Sequence, residues 1–272
     1  MLSADVWQVS VIRLEQVKPD SEAETAMIML SGTGANFGLP EASPYVTKTE
    51  VQLRMAGLAY DKRRANPSEG PKGQVPFIDD GGRLIGDSAF IRMHIEREYG
   101  IDFDAHLSSV ERVTALAIEV MVDRELAQAM AYFRWMVPEN FAKGPALFFN
   151  QMPAEQRDAF IDGVMASVRG NFLARGMGRH AHAEIVLLAA RTLEALDVFI
   201  GDKTYLMGDE PCGADAFIFA ALAGTMTPFF DTPVRDAAIS YPRLVAYVSR
   251  MMDRYYPEFE WDAGILPDRQ AA

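Results

Sequence analysis

Gly73-Gln74-Val75-Pro76-Phe77-Ile78-Asp79-Asp80-Gly81-Gly82-Arg83-Leu84-Ile85-Gly86-Asp87-Ser88-Ala89-Phe90-Ile91 holds three elements in a row. Val75 to Ile78 and Arg83 to Ile85 are short apolar runs, and Asp79-Asp80-Gly81-Gly82 between them is strong hairpin chemistry. Asp87 and Ser88 are both favoured N-caps, and the helical pattern they open runs from Ser88 to Tyr99 and stops at Gly100. Upstream, Ala26 to Leu30 reads as a buried strand, and Ser31-Gly32-Thr33-Gly34 as a loop. Ser43 then caps a helix whose apolar positions Val46, Leu53 and Ala56 recur at helical spacing, with Gly57 ending it. A strand over Tyr60 to Ala65 and the turn-rich Asn66-Pro67-Ser68-Glu69-Gly70-Pro71 lead back to the hairpin. The order is βαβ followed by ββα.

Beyond Phe103 the strand signals vanish. Ser108 with Glu111 forms a capping box before a helix reaching about Met136, whose run from Ala115 to Val122 is apolar enough to imply that it is largely buried. Further helices are expected over Pro153 to Ala174, Ala183 to Ile200, Gly213 to about Thr225, and Pro242 to Tyr255. The division is an extension over 1–25, an α/β domain over 26–102, an all-helical domain over 103–260 and a tail over 261–272.

Composition narrows the function classes. At 272 residues, 49% hydrophobic and 24% charged, the chain is ordinary globular material. Its 26 Lys plus Arg against 38 Asp plus Glu leave a net charge of −12, which repels phosphate backbones and argues against nucleic-acid partners. The most apolar stretch, Ala216 to Ala223, is far shorter than the ~20 residues that cross a bilayer. No signal peptide is read at the N-terminus, so a cytoplasmic location without membrane partners is expected. The single cysteine, Cys212, excludes an internal disulfide and a Cys-x-x-Cys redox pair.

Gly73 to Ile78 followed by Asp87 to Ile91 resembles the glutathione-binding half of the glutathione transferase superfamily, a thioredoxin-like domain joined to an all-helical one. Gly208-Asp209-Glu210-Pro211-Cys212-Gly213-Ala214-Asp215 is similar to the family's buried capping motif, with Cys212 where a Ser or Thr usually stands. Ser43-Pro44-Tyr45-Val46-Thr47-Lys48, Arg54-Met55-Ala56-Gly57 and Gly178-Arg179-His180 resemble the metaxin and failed-axon-connections branch in particular. The resemblance covers about residues 26–257. It implies glutathione as the bound substrate and homodimers as the assembly. It also implies a cis Val75–Pro76 bond, with Val75 offering its N–H and C=O to the tripeptide as an added strand. Asp87 and Ser88 would hold the γ-glutamyl group, the first its ammonium and the second its carboxylate at a helix start. Gln74 and Lys72 would lie toward the glycine end.

Two hydroxyls compete for the sulfur. A free thiol ionises near ~8.5, and lowering that by two units takes only ~2.7 kcal/mol, within reach of one hydrogen bond plus a helix N-terminus. Ser43, the residue before Pro44, ranks ahead of Tyr45, whose side chain two places into the helix can point away. Ser43 and Val46 stand where redox relatives carry cysteines, so thiol–disulfide exchange is unavailable. Seven basic and five acidic residues between Pro44 and Arg83 leave that segment at +2, which does not repel an anionic tripeptide. His180 and His182, two apart at a helix start, point to different sides, and no metal is expected. Tyr132, Phe133, Trp135, Phe141, Phe148 and Phe149 read as core that can also flank an apolar cosubstrate pocket covered by residues 138–153. Two functions follow: a glutathione transferase directing a thiolate at a small apolar electrophile, or a binding module of the same fold without turnover.

Overall fold

The computed structural model describes residues 27–264, so the expected extension over 1–25 and the end of the tail lie outside the described residues. β1 (Ile28–Gly32) and β2 (Tyr60–Arg64) are parallel, Ile28 opposite Tyr60, and α1 (Pro44–Met55) makes the crossover. β3 (Phe77–Asp80) lies antiparallel to β1 with Ile78 opposite Leu30, and β4 (Arg83–Gly86) closes the hairpin on its far side. The sheet order is β2-β1-β3-β4. Edge strand β2 exposes Asp61, Lys62, Arg63 and Arg64, charges that blunt edge-to-edge pairing. α2 (Ser88–Tyr99) ends on Gly100 at φ +64°, a left-handed cap that glycine adopts without a side-chain penalty. Ile28, Leu30 and Ile78 of the sheet pack against Val46 and Leu53 of α1 and Ile91 and Ile95 of α2.

The second domain is helical: α3 (Ser109–Met121), a π-turn (Val122–Ala127), α4 (Gln128–Met136), α5 (Pro138–Lys143), α6 (Ala154–Arg175), α7 (His182–Ile200), α8 (Asp215–Met226), α9 (Pro233–Ile239) and α10 (Pro242–Tyr255). A thioredoxin-like α/β domain followed by an all-α domain is therefore the fold, as the sequence implies. Every residue of α8 is buried. It packs on α1, α9, α10 and the π-turn, which is why a helix apolar on all sides can exist in water.

Four expectations for the helices are corrected. The helix from Ser108 to Met136 starts with its capping box but is interrupted by the π-turn. Its apolar run is also not largely buried: Val113, Leu116 and Val120 are 68%, 61% and 48% exposed. Ala115, Met121 and Val122 turn inward while Val110, Val113, Leu116 and Val120 form a second stripe facing out. An apolar count cannot tell one stripe from two. Residues 138–153, expected as a plain connector, contain α5 and a 3₁₀ turn at Pro145–Phe149, and α9 is helical where none was expected.

The domains are joined by buried polar contacts. Arg134 of α4 is buried and, among the described residues, has no carboxylate partner; it donates instead to the carbonyls of Ala42 and Gly224, with its guanidinium over the Phe230 ring at 4.9 Å. Burial pulls its pKa down to about 9. Gln52 of α1 donates to the Gly213 carbonyl, and Asp104 accepts from the Gly213 amide and from Arg92 of α2. These contacts fix the walls of the space between the domains.

Candidate functional site

Between the domains lies a cleft of about 620 Å³. One wall is the end of the sheet and the starts of two helices: Gln74, Val75, Pro76, Asp87 and Ser88, with Tyr45 and Lys48 of α1. The other wall is helical, with Leu116, Glu119 and Val120 from α3, Asp123 from the π-turn, Gln128 and Trp135 from α4, Asn171 and Arg175 from α6, and Phe217 from α8.

The hairpin and its turns build the first wall. Val75 precedes β3, its bond to Pro76 is cis, and among the described residues its amide and carbonyl have no backbone partner. A half-buried backbone edge facing a cleft is what an extended peptide can pair with. Asp87 sits at φ +81°, an uncommon conformation for a residue with a side chain. It caps α2 by accepting from the Ala89 amide at 2.9 Å, and Gln74 reaches its other oxygen at 3.4 Å. Ser88, at the first helical position, is buried beside it.

Tyr45 dominates the cleft floor. Its ring stacks on Phe217 at 5.3 Å, and its hydroxyl donates to Asp123 Oδ1 at 2.6 Å. Burial, then the neighbouring Asp123 carboxylate, pushes the phenol well above its ordinary value of 10, with Arg175 and Gln128 pulling weakly the other way. Lys48 pairs with Glu119 at 2.6 Å across the same floor. The floor thus sets two carboxylates, Glu119 and Asp123, against two cations, Lys48 and Arg175.

Of the residues expected to act, Tyr45, Gln74, Val75, Pro76, Asp87 and Ser88 converge on this cleft. Ser43 and Lys72 are not among its lining residues. Ser43 precedes α1 in extended conformation, and its side chain makes no capping hydrogen bond. Lys72 places its ammonium over the Phe90 ring at 3.6 Å. Tyr45 points into the cleft because its place on α1 faces α8 and the π-turn, an orientation set by domain packing that lies beyond local sequence. Of the aromatic cluster only Trp135 lines the cleft, and residues 138–153 contribute nothing to it. Phe148 packs on Phe37, Phe149 on Phe160, and Phe141 on Trp135. Asp123, Glu119 and Arg175 were not singled out by sequence reasoning, and Lys48 appeared only as the end of the Ser43–Lys48 motif, without a role in the site. The only hint was the charged Asp123-Arg124-Glu125 inside an apolar helix.

Cys212 belongs elsewhere. Its amide donates to Asp215 Oδ2, and burial with the nearby Asp215 carboxylate pushes its thiol up, away from nucleophilic reactivity. His180 sits 4.0 Å from Glu184, and the His182 ring packs edge-on against Tyr132 and Phe133. Among the described residues no group of three or more His, Cys, Asp or Glu is arranged to hold a metal ion, and no helix is long and apolar enough to cross a membrane.

Comparison with known proteins agrees with this geometry. The glutathione S-transferase N-terminal domain family matches residues 44–140, and its C-terminal domain family matches residues 189–251. "Failed axon connections" of Drosophila melanogaster is 30% identical over 82% of this chain, which spans 56% of that protein's length. Isoprene-epoxide–glutathione S-transferase of Rhodococcus sp. is 25% identical over 84% of this chain and 99% of its own. Among solved structures, the β-etherase LigF of Sphingobium sp. superposes with a TM-score of 0.61 at 16% identity, covering 86% of this chain and 98% of that one. Two family matches in the expected order, on a thioredoxin-like domain followed by a helical one, make this chain a member of the glutathione S-transferase superfamily.

Proposed function

We propose that the cleft binds reduced glutathione and directs its sulfur at a small apolar electrophile. The observation that carries this is the convergence of Val75, Asp87, Ser88 and Tyr45 on one cleft. The tripeptide pairs with the Val75 backbone, its γ-glutamyl carboxylate meets Ser88 and the start of α2, and its ammonium meets Asp87. The sulfur then faces Tyr45 in preference to Ser43, because Tyr45 lines the cleft. The cosubstrate lies against Leu116, Val120, Trp135 and Phe217. Catalysis on this reading is positioning plus electrostatic stabilisation, without a covalent enzyme intermediate. The likeness to a named glutathione S-transferase over nearly its full length supports turnover.

A second reading, a binding module without turnover, is favoured by one observation: the Tyr45 hydroxyl proton is engaged by Asp123 and is not offered to a bound sulfur. We also propose a homodimer through the exposed stripe of α3 together with Phe90 and Met93 of α2, which are 53% and 59% exposed. Calorimetric titration with glutathione, followed by a conjugation assay, separates the two functions. Binding at or below about millimolar, weakened by about 1 to 3 kcal/mol in Ser88→Ala, is expected for both. Turnover selects the enzyme. Unchanged affinity in an Asp87→Ala/Ser88→Ala double variant that stays folded sinks the glutathione site.

A further inference from the structure

Building on the transferase reading, we propose that Tyr45 and Asp123 form a proton carrier that takes the proton from the attacking thiol and returns it to an alkoxide. The electrophiles this cleft serves best are then epoxides. Three observations support the pairing. The Tyr45 hydroxyl donates to Asp123 Oδ1 at 2.6 Å inside the cleft. Asp123 has no cation within 4 Å among the described residues, so its carboxylate is not spent on an ion pair. And Asp123 is carried on a π-turn, a rare irregularity that concentrates at functional sites.

A hydroxyl has one proton. With that proton on Asp123, Tyr45 presents its oxygen lone pairs to the cleft and is an acceptor there. A thiol placed against it therefore donates, and the donation passes through: the thiol proton moves to Tyr45 Oη as the Tyr45 proton moves to Asp123 Oδ1. A carboxyl is ordinarily about four to five units more acidic than a thiol, so this shift does not happen at rest. It happens as the sulfur–carbon bond forms. In an epoxide the carbon–oxygen bond breaks in the same step and its electron pair stays on the ring oxygen, which becomes far more basic than either partner. The reverse shift, Asp123 to Tyr45 and Tyr45 to oxygen, then yields the hydroxy thioether. Thiol and epoxide are consumed, one proton is relocated, the protein returns to its starting state, and no further reactant is needed. An aryl halide expels a stable anion and has no use for the returned proton.

The charges around the pair fit this task. Lys48, paired with Glu119, and Arg175 face the floor from α1 and α6, and Gln128 faces it from α4. The two cations favour the negative charge that builds on sulfur as its proton leaves.

The test uses the full chain, glutathione, and two cosubstrates, a small terminal epoxide and 1-chloro-2,4-dinitrobenzene, assayed from pH 6 to pH 10 in the parent, Asp123→Asn, Asp123→Glu and Tyr45→Phe. Glutathione affinity, measured separately by calorimetry, is expected to stay within about threefold in Asp123→Asn. Its epoxide kcat is expected to fall by about 10²-fold or more at every pH, the size of one acid–base contribution. Its aryl halide kcat falls at pH 7 and recovers toward pH 10, where the thiol ionises unaided. Asp123→Glu restores part of the epoxide rate. Equal losses with both cosubstrates at every pH, or no loss with either, overturn the proton carrier while leaving the transferase reading standing. Absence of glutathione binding in the parent defeats that reading, and the carrier with it.

Discussion

α3 and α8 are both rich in apolar residues, α8 the more so, and meet opposite fates. All of α8 is buried, from Asp215 to Met226, whereas α3 buries only Ala115 fully and shows Val110, Val113, Leu116 and Val120 to the outside. The difference lies in the neighbours. α8 is surrounded by α1, α9, α10 and the π-turn, while α3 has packing on one side only. An apolar helix is thus a statement about demand for cover, and the chain itself meets that demand for α8 alone. The remaining stripe of α3 borders the cleft through Leu116 and Val120, so whatever covers it also shapes the site.

The contrast can be broken most severely at Asp215. Its carboxylate accepts from the Leu206 and Cys212 amides and from the Tyr247 hydroxyl, all buried. Asp215→Ala strands two amides away from water, and thermal unfolding followed by circular dichroism should show a loss of about 3 to 5 kcal/mol. A loss below 1 kcal/mol means that α8 is held by packing alone. Next in size is a matched pair of truncations. Leu222→Ala, in the middle of α8, should cost about 2 to 5 kcal/mol, and Leu116→Ala on α3 under about 0.5 kcal/mol in the monomer. Similar losses at both positions would show that the α3 stripe is covered in solution. Val113→Glu tests that cover directly. Sedimentation should show the dimer giving way to a monomer with unchanged secondary structure, and a parent already monomeric removes the proposed interface.

Phenols sharpen the comparison in another way. Tyr45, Tyr247 and Tyr256 rest on α8 or its Asp215, and burial first, then a neighbouring carboxylate, holds each well above 10. Tyr60 and Tyr99 are pushed up to about 12, again by burial first and then by the carboxylates of Glu50 and Asp80. A folded-state value above the unfolded one means that stability is fully present below about pH 10 and declines as pH rises past it. Absorbance at 295 nm should rise in two stages, the second coinciding with loss of ellipticity. A single stage complete by pH 10.5 in the folded protein would contradict the burial of these rings. The smallest effect is at Cys212, three residues before Asp215. Sulfur accepts hydrogen bonds weakly, so Cys212→Ser should stabilise by about 0.5 to 1 kcal/mol without changing glutathione chemistry.

The hairpin chemistry of Asp79 to Gly82, the caps at Asp87 and Ser108 and the crossover helix were legible because each is local: turn residues, cap residues and helical spacing act within a few positions. Most of the first cleft wall was legible for the same reason. The second wall was not. Glu119, Asp123, Gln128 and Arg175 come together through the packing of α3, α4 and α6, and no spacing in the chain announces that meeting. Ser43 and Tyr45 show the boundary well: their identities were read, but which hydroxyl enters the cleft depends on α1 lying against α8.

The π-turn at Val122–Ala127 holds one residue more than an α-helical path would need, and each residue advances a helix by about 100°. Everything after it on α4, Trp135 in the cleft and Arg134 beneath it, is aimed by that surplus residue. Removing one residue between Val122 and Ala127 would leave a more regular helix and the same hydrophobic composition. It would also swing Trp135 out of the cleft and carry the Arg134 guanidinium away from Ala42 and Gly224. Length variation here acts as a change of aim, so a family member one residue shorter at this point would share the fold and own a different pocket.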